Sequence, residues 1–276
     1  DQSSPNVANY DEANANPYPN LPKLMRRPNG EVVTTQQQWW NERRPEIVDL
    51  LEREVYGRIP SDVPVVNWEV QETREIKVGG QRADQLHIVG VVDNSKCPEI
   101  AVRISMSLTL PKETQSPVPV LMTFGWTPFD ESPFNFGGRG RSGAGRSEQA
   151  GPKSASREDK LIAAGWGCAT INPSTIQDDS GGFQRNPFDR NANPDAEVQP
   201  SGAGLTRGII GLTNRGQPRK PEEWGALRAW GWGASRALDY LETLPEVDSQ
   251  KVGMAGVSGY GKAALVTMAF DTRFAM

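Results

Sequence analysis

The spacing of apolar and polar positions divides the chain into a helical opening, a β-rich stretch and a run of alternating strands and helices. Residues 36–56 (QQQWWNERRPEIVDLLEREVY) carry Trp40, Ile47, Leu50, Leu51 and Val55 at three- to four-residue steps. That period predicts a helix, and Gly57 is placed to stop it. Residues 65–70, 84–89 and 101–110 alternate in part and read as strands, with Gly79-Gly80 where a hairpin turn belongs. After these the character changes. Residues 118–124 (VPVLMTF) are a short apolar strand, 157–164 (REDKLIAA) a helix, and 168–171 (CATI) a second buried strand. A long helix is predicted over 221–244. Pro221 suits its first position, Glu222 and Glu223 suit its positive end, and Leu227, Trp230, Ala234, Leu238, Leu241 and Leu244 share one stripe before Pro245. Residues 251–257 (KVGMAGV) are a further strand, and 259–270 one more helix. Strands followed by helices predict an α/β protein with a mostly parallel sheet covered on both faces.

Two long irregular stretches, 125–156 and 172–220, leave the strands at the end where such a sheet places its site, so they are expected to form a functional rim. Residues 1–30, rich in Pro and Asn without a hydrophobic period, read as an extended arm on a single domain.

Composition narrows the class. With 36% hydrophobic and 23% charged residues the chain is globular rather than disordered, and a net charge of -4 argues against a nucleic-acid partner. No apolar run approaches the roughly 18 residues of a membrane helix. The polar opening at Asp1, without an initiator Met, is what remains when a signal peptide is removed, which predicts a secreted or periplasmic protein. Cys97 and Cys168 are the only cysteines and read as free or structural thiols rather than a disulfide.

The chemistry concentrates at Ser258, in G256-V-S-G-Y-G-K, between the strand 251–257 and the helix 259–270. A serine at a strained strand-to-helix turn presents its hydroxyl clear of the sheet edge, and the helix N-terminus behind it favours developing negative charge. The G-x-S-x-G pattern of such elbows is not met: Tyr260 holds the place of the second glycine, and Gly261 follows one residue later. The competing structural role is a serine that merely caps the helix. A nucleophilic serine needs a base, and the only histidine, His87, lies upstream in the strand DQLHIV, where a structural role is expected. The acid and base are therefore expected on residues after Met276. Two other segments carry weaker signals. G137-G-R-G-R-S-G-A-G-R-S lacks the G-K-[ST] of a phosphate loop and reads as a rim loop. In D189-R-N-A-N-P-D-A-E the oxygen-bearing side chains fall short of a calcium loop, because Pro194 stands where glycine is needed.

The segment E222-E-W-G-A-L-R-A-W-G-W-G-A-S-R-A-L-D-Y-L-E-T, the elbow V252-G-M-A-G-V-S-G-Y-G-K-A-A-L and the opening W39-W-N-E-R-R-P-E-I-V-D-L-L-E-R-E-V-Y-G-R-I-P resemble carbohydrate esterase family 15, the glucuronoyl esterases. The resemblance implies an α/β-hydrolase of three αβα layers, incomplete at its C-terminus. It implies hydrolysis of the ester between 4-O-methyl-glucuronic acid of xylan and lignin alcohols, by a monomer with no metal and no organic cofactor. Ser258 matches the family's nucleophile, and Lys262 matches a lysine that contacts sugar hydroxyls. The family carries arginine directly after the serine, where this chain has Gly259. Gly259 keeps the backbone N–H of the oxyanion hole and loses the guanidinium; a replacement donor is expected around Gly125–Trp126. An acetyl-xylan or other carboxylesterase, or an inert carbohydrate-binding relative, remains the alternative.

Overall fold

The computed structural model describes residues 13, 21–130, 155–179 and 203–276. The readings of 137–147 as a rim loop and 189–197 as a poor metal loop lie outside the described residues, as does most of the predicted arm. The chain divides into two compact units, Asp1–Leu50 and Leu51–Met276. In the first, Thr35 caps α1 (Gln36–Gln38) through a reciprocal capping box, a π-helical stretch covers Trp39–Arg43, and α2 (Arg44–Leu51) follows. Arg27 joins Glu31, Glu42 and Glu46 in one ion cluster. The predicted apolar stripe is not buried: no residue of 36–56 is, and Trp40 and Val55 are among the exposed ones. Two π-helical stretches, Trp39–Arg43 and Glu52–Tyr56, break the 3.6-residue phase on which the stripe depended. Gly57 stops the helix, at φ 76°.

The second unit is built on a six-stranded sheet in the order β1-β2-β3-β5-β4-β6 among the described residues. The strands are β1 (Val66–Val78), β2 (Gln81–Val92), β3 (Arg103–Pro111), β4 (Val118–Phe124), β5 (Gly167–Ile171) and β6 (Val247–Ala255). Gly79 and Gly80, both at positive φ, make the two-residue turn between β1 and β2. The sheet is mixed rather than mostly parallel. β1, β2, β3 and β5 pair antiparallel, and only β4 lies parallel to its neighbours β5 and β6.

The two faces of the central strands go to different helices. Leu121, Cys168 and Thr109 are direct neighbours across β4, β5 and β3, and on their face Glu158 of α3 (Arg157–Ala163) accepts from Thr109 at 3.0 Å. The alternate residues, Val120, Met122, Phe124, Ala169 and Ile171, are buried on the opposite face. There the Phe124 ring meets Trp230 of α5 (Ala226–Leu241) and Tyr260 of α6 (Gly259–Phe270). Helices on both faces of one sheet give the expected αβα layering.

Trp230, Ala234, Leu238 and Leu241 of the predicted stripe are buried, but the helix starts at Ala226, not Pro221. Residues 222–225 are drawn out of it by distant partners. The Glu222 carbonyl accepts from the Arg58 N–H at 2.8 Å, and Gly225 N–H donates to the Tyr56 carbonyl at 2.9 Å. Part of the long stretch 172–220 is also regular, since α4 (Gly208–Asn214) lies within it.

Candidate active site

β6 delivers the chain into α6 through one strained residue. Ser258 holds φ 56° and ψ −121°. This lies outside even the left-handed helical region that Arg215, the other described non-glycine at positive φ, occupies at the end of α4. The Ser258 side chain makes no capping hydrogen bond to α6, so the helix-capping role is not what the serine does. The turn is closed by Tyr260 N–H to the Val257 carbonyl at 3.1 Å and Lys262 N–H to the Ser258 carbonyl at 3.1 Å. The displaced glycine of the motif has a steric cause. A Cβ on Gly256 would stand 2.2 Å from the Tyr260 carbonyl oxygen, and one on Gly261 would stand 3.1 Å from the Gly256 carbonyl oxygen. The backbones at 256 and 260–261 touch, so those two positions must be small while position 260 can carry a ring.

Ser258 opens into a cavity of about 310 Å³, beyond the C-terminal ends of β5 and β6. One side is the turn itself, Val257 to Tyr260; the other is Pro173–Asp179, the chain leaving β5, with Trp230 between them. Gln177 ties this wall together. Fully buried, it accepts the Ile210 N–H on its side-chain oxygen at 3.0 Å and donates from Nε2 to the Asp178 carbonyl at 2.9 Å. Its own carbonyl accepts Trp230 Nε1–H at 2.7 Å. The Trp230 ring in turn meets Tyr260 edge-on, with centroids 5.8 Å apart. Two carboxylates, Asp178 and Asp179, stand exposed at the rim. Partial loss of water, and then the Asp178 charge beside it, push the Asp179 carboxyl above its ordinary range. Burial, and then the Asp179 charge, likewise push the Tyr260 hydroxyl up. No lysine, arginine or histidine lines the cavity among the described residues.

Gly259 is the first residue of α6 and lines the cavity; nothing stands within 4 Å of where its Cβ would be. Lys262 lies one turn further on, exposed and outside the cavity lining. Gly125 is not available as a second oxyanion donor, because its N–H donates to the Ile171 carbonyl at 3.0 Å. That leaves Trp126 of the expected pair.

His87 is remote from Ser258. Its row across the sheet runs through Ser107, Thr170 and Thr123 to Ala255 on β6. Four strand spacings make about 19 Å. The imidazole stacks on Phe129 at 4.6 Å, and the Arg74 guanidinium lies 4.4 Å from the same Phe129 ring. This is a structural histidine. Both cysteines are free thiols. Burial and the Glu158 carboxylate push Cys168 up to about 12, which removes it as a nucleophile at neutral pH. No group of side chains able to hold a metal is present among the described residues, and no described helix is long and apolar enough to cross a membrane.

Of the cavity residues, Trp230 was legible only as part of a helix stripe. Gln177, Asp178 and Asp179 carried no signal, because they sit in a stretch without period.

The family model for fungal glucuronyl esterases matches residues 219–276. The chain is 26% identical over 297 residues to carbohydrate esterase MZ0003 from an unknown prokaryotic organism, covering 99% of this chain and 61% of that one. It superposes on a CE15 glucuronoyl esterase from Teredinibacter turnerae T7901 with TM-score 0.77 and 31% identity, over 99% of this chain and 59% of that one. A glucuronoyl esterase from Solibacter usitatus gives TM-score 0.68 and 31% identity, over 95% and 63%. The chain thus spans about three fifths of the length of these relatives. The similarity runs through the elbow, the Trp-rich helix and the mixed sheet alike, and over nearly its whole length the chain is similar to carbohydrate esterase family 15, the glucuronoyl esterases.

Proposed function

We propose that the protein is a serine-dependent carboxylic-ester hydrolase that cleaves the ester between 4-O-methyl-glucuronic acid of xylan and lignin alcohols. The observation that carries this reading is the Ser258 backbone, strained at φ 56° and ψ −121° over an open cavity while its hydroxyl caps nothing. Strain of this kind persists where the surrounding structure enforces it and aims a side chain. Ser258 Oγ attacks the ester carbonyl carbon, the alcohol leaves, and water then cleaves the acyl-enzyme. The Gly259 N–H at the start of α6 supports the oxyanion, and Lys262 contacts sugar hydroxyls. The proton of Ser258 needs an acceptor other than His87, which is about four strand spacings away. The protein acts as an exported monomer with one catalytic domain.

One observation favours a second reading. With no cation lining the cavity among the described residues and its histidine remote, the chain would also suit an inert carbohydrate-binding relative. The natural protein carrying this chain, assayed on methyl glucuronate and on acetylated xylan, separates the readings. Turnover of methyl glucuronate that falls at least about a thousandfold in Ser258→Ala is expected. Acetyl release alone moves the assignment to an acetyl-xylan esterase, and binding without turnover moves it to a binding relative.

A further inference from the structure

Most side-chain hydrogen-bond donors around the cavity are committed to the protein itself. Ser174 donates its hydroxyl to Asn172 Oδ1 at 2.7 Å, and Trp230 Nε1–H goes to the Gln177 carbonyl at 2.7 Å. The buried Gln177 amide donates to the Asp178 carbonyl at 2.9 Å. Ser258 is the proposed nucleophile. Tyr260 differs from all of these, because its hydroxyl makes no hydrogen bond among the described residues. Nor is Tyr260 Oη one of the buried side-chain atoms left without a partner, so it reaches solvent. On a half-buried residue that lines the cavity, the cavity is where that opening lies.

The phenol is held in place by its neighbours. Its ring meets Trp230 edge-on with centroids 5.8 Å apart and Phe124 at 6.5 Å, and both of those side chains are buried. A glycine at this place, as in the G-x-S-x-G pattern, would offer the cavity no side chain at all. Burial, and then the Asp179 charge, keep the hydroxyl above its ordinary range, so at neutral pH it is an uncharged donor. A fixed donor that nothing in the protein satisfies discriminates between ligands that offer it an oxygen and ligands that do not. A uronoyl group joined to xylan through C1, methylated at O4 and esterified at C6 keeps two free hydroxyls, on C2 and C3. An acetyl group has none.

We infer that Tyr260 is a specificity-determining residue of this site, its hydroxyl bonding the C2 or C3 hydroxyl of the uronoyl sugar while Ser258 meets the C6 ester. This role selects a sugar acyl group over a simple one. It rests on the reading of the cavity as the acyl site of a glucuronoyl esterase.

Tyr260→Phe keeps the ring against Trp230 and Phe124 and removes only the hydroxyl. In the natural protein carrying this chain it should lower kcat/KM on methyl glucuronate about fivefold, the weight of one neutral hydrogen bond. Pairing the substitution with a deletion in the substrate separates a direct contact from a general disturbance. Of the 2-deoxy and 3-deoxy forms of methyl glucuronate, one should be hydrolysed by parent and variant within about twofold of each other, and the other should keep the fivefold loss. The melting temperature should move by less than about 2 °C, since the fold makes no use of the hydroxyl. Any other pattern with the ester still hydrolysed overturns the role of Tyr260 and spares the esterase: no loss, equal loss on both deoxy esters, or a marked fall in melting temperature. If the parent hydrolyses none of the three uronoyl esters, the esterase reading falls and takes the role of Tyr260 with it.

Discussion

Ser258→Gly and Ser258→Ala, compared in the same protein, separate the strain of the elbow from the chemistry of the hydroxyl. A non-glycine residue in a sparsely populated backbone region costs about 1–3 kcal/mol, and φ 56° with ψ −121° is such a region. Glycine removes the Cβ that causes the cost, but its freedom in the unfolded chain costs about 0.5–1 kcal/mol. The difference is a net stabilisation of about 1 kcal/mol for Ser258→Gly. Alanine keeps the Cβ and the strain. The lost hydroxyl is exposed and caps no helix N–H, so Ser258→Ala should lie within about 0.5 kcal/mol of the parent. Urea unfolding of the three proteins, fitted with a common slope, reads these differences from the midpoints. Thermal melting should place Ser258→Gly about 2–4 °C above Ser258→Ala. The proposed nucleophile would then be the residue whose replacement by glycine makes the fold more stable. If Ser258→Gly melts at or below Ser258→Ala, the backbone at 258 is not strained in solution, and the argument for Ser258 as an aimed nucleophile loses its main support.

Two further outcomes follow from the same turn and from the opposite face of the sheet. Gly259→Arg meets no atom within 4 Å of its Cβ, so in the natural protein it should raise kcat on methyl glucuronate by about a hundredfold if no other donor serves the oxyanion; unchanged kcat would point to the Trp126 N–H. Cys168, with its thiol raised to about 12, stays protonated in the folded protein where the unfolded chain would ionise near its ordinary value. Its contribution to stability is complete below about pH 9 and is lost as pH rises towards 12, so stability should fall by up to about 2 kcal/mol more between pH 9 and 11 in the parent than in Cys168→Ser. Parallel alkaline unfolding curves for the two proteins would contradict that.

What could be read from the residues alone was whatever depends on neighbours in the chain. Helix α6 begins at Gly259 as its sequence indicates, because a strand, a small residue, a serine and another small residue are local facts. The form of the motif is local too. The second glycine sits at 261 because the Gly256 carbonyl approaches that position, and the side chain at 260 turns away to pack on Trp230 and Phe124. The errors lie where distant chain decides. Pro221 and its two glutamates make a good helix start in isolation, but backbone pairing with residues 56–58 outweighs a preference worth about 1 kcal/mol. The direction of β3 is likewise invisible in its residues, since a strand buried on both faces looks the same read either way. The far wall of the cavity was beyond reach for the same reason. Asp178 and Asp179 gain meaning only when Gln177, bonded across 33 residues to Ile210 and across 53 to Trp230, sets them opposite a serine 79 positions further along the chain. The turn at Ser258 can be written in seven consecutive residues, whereas the cavity wall opposite it is assembled from segments with no common period.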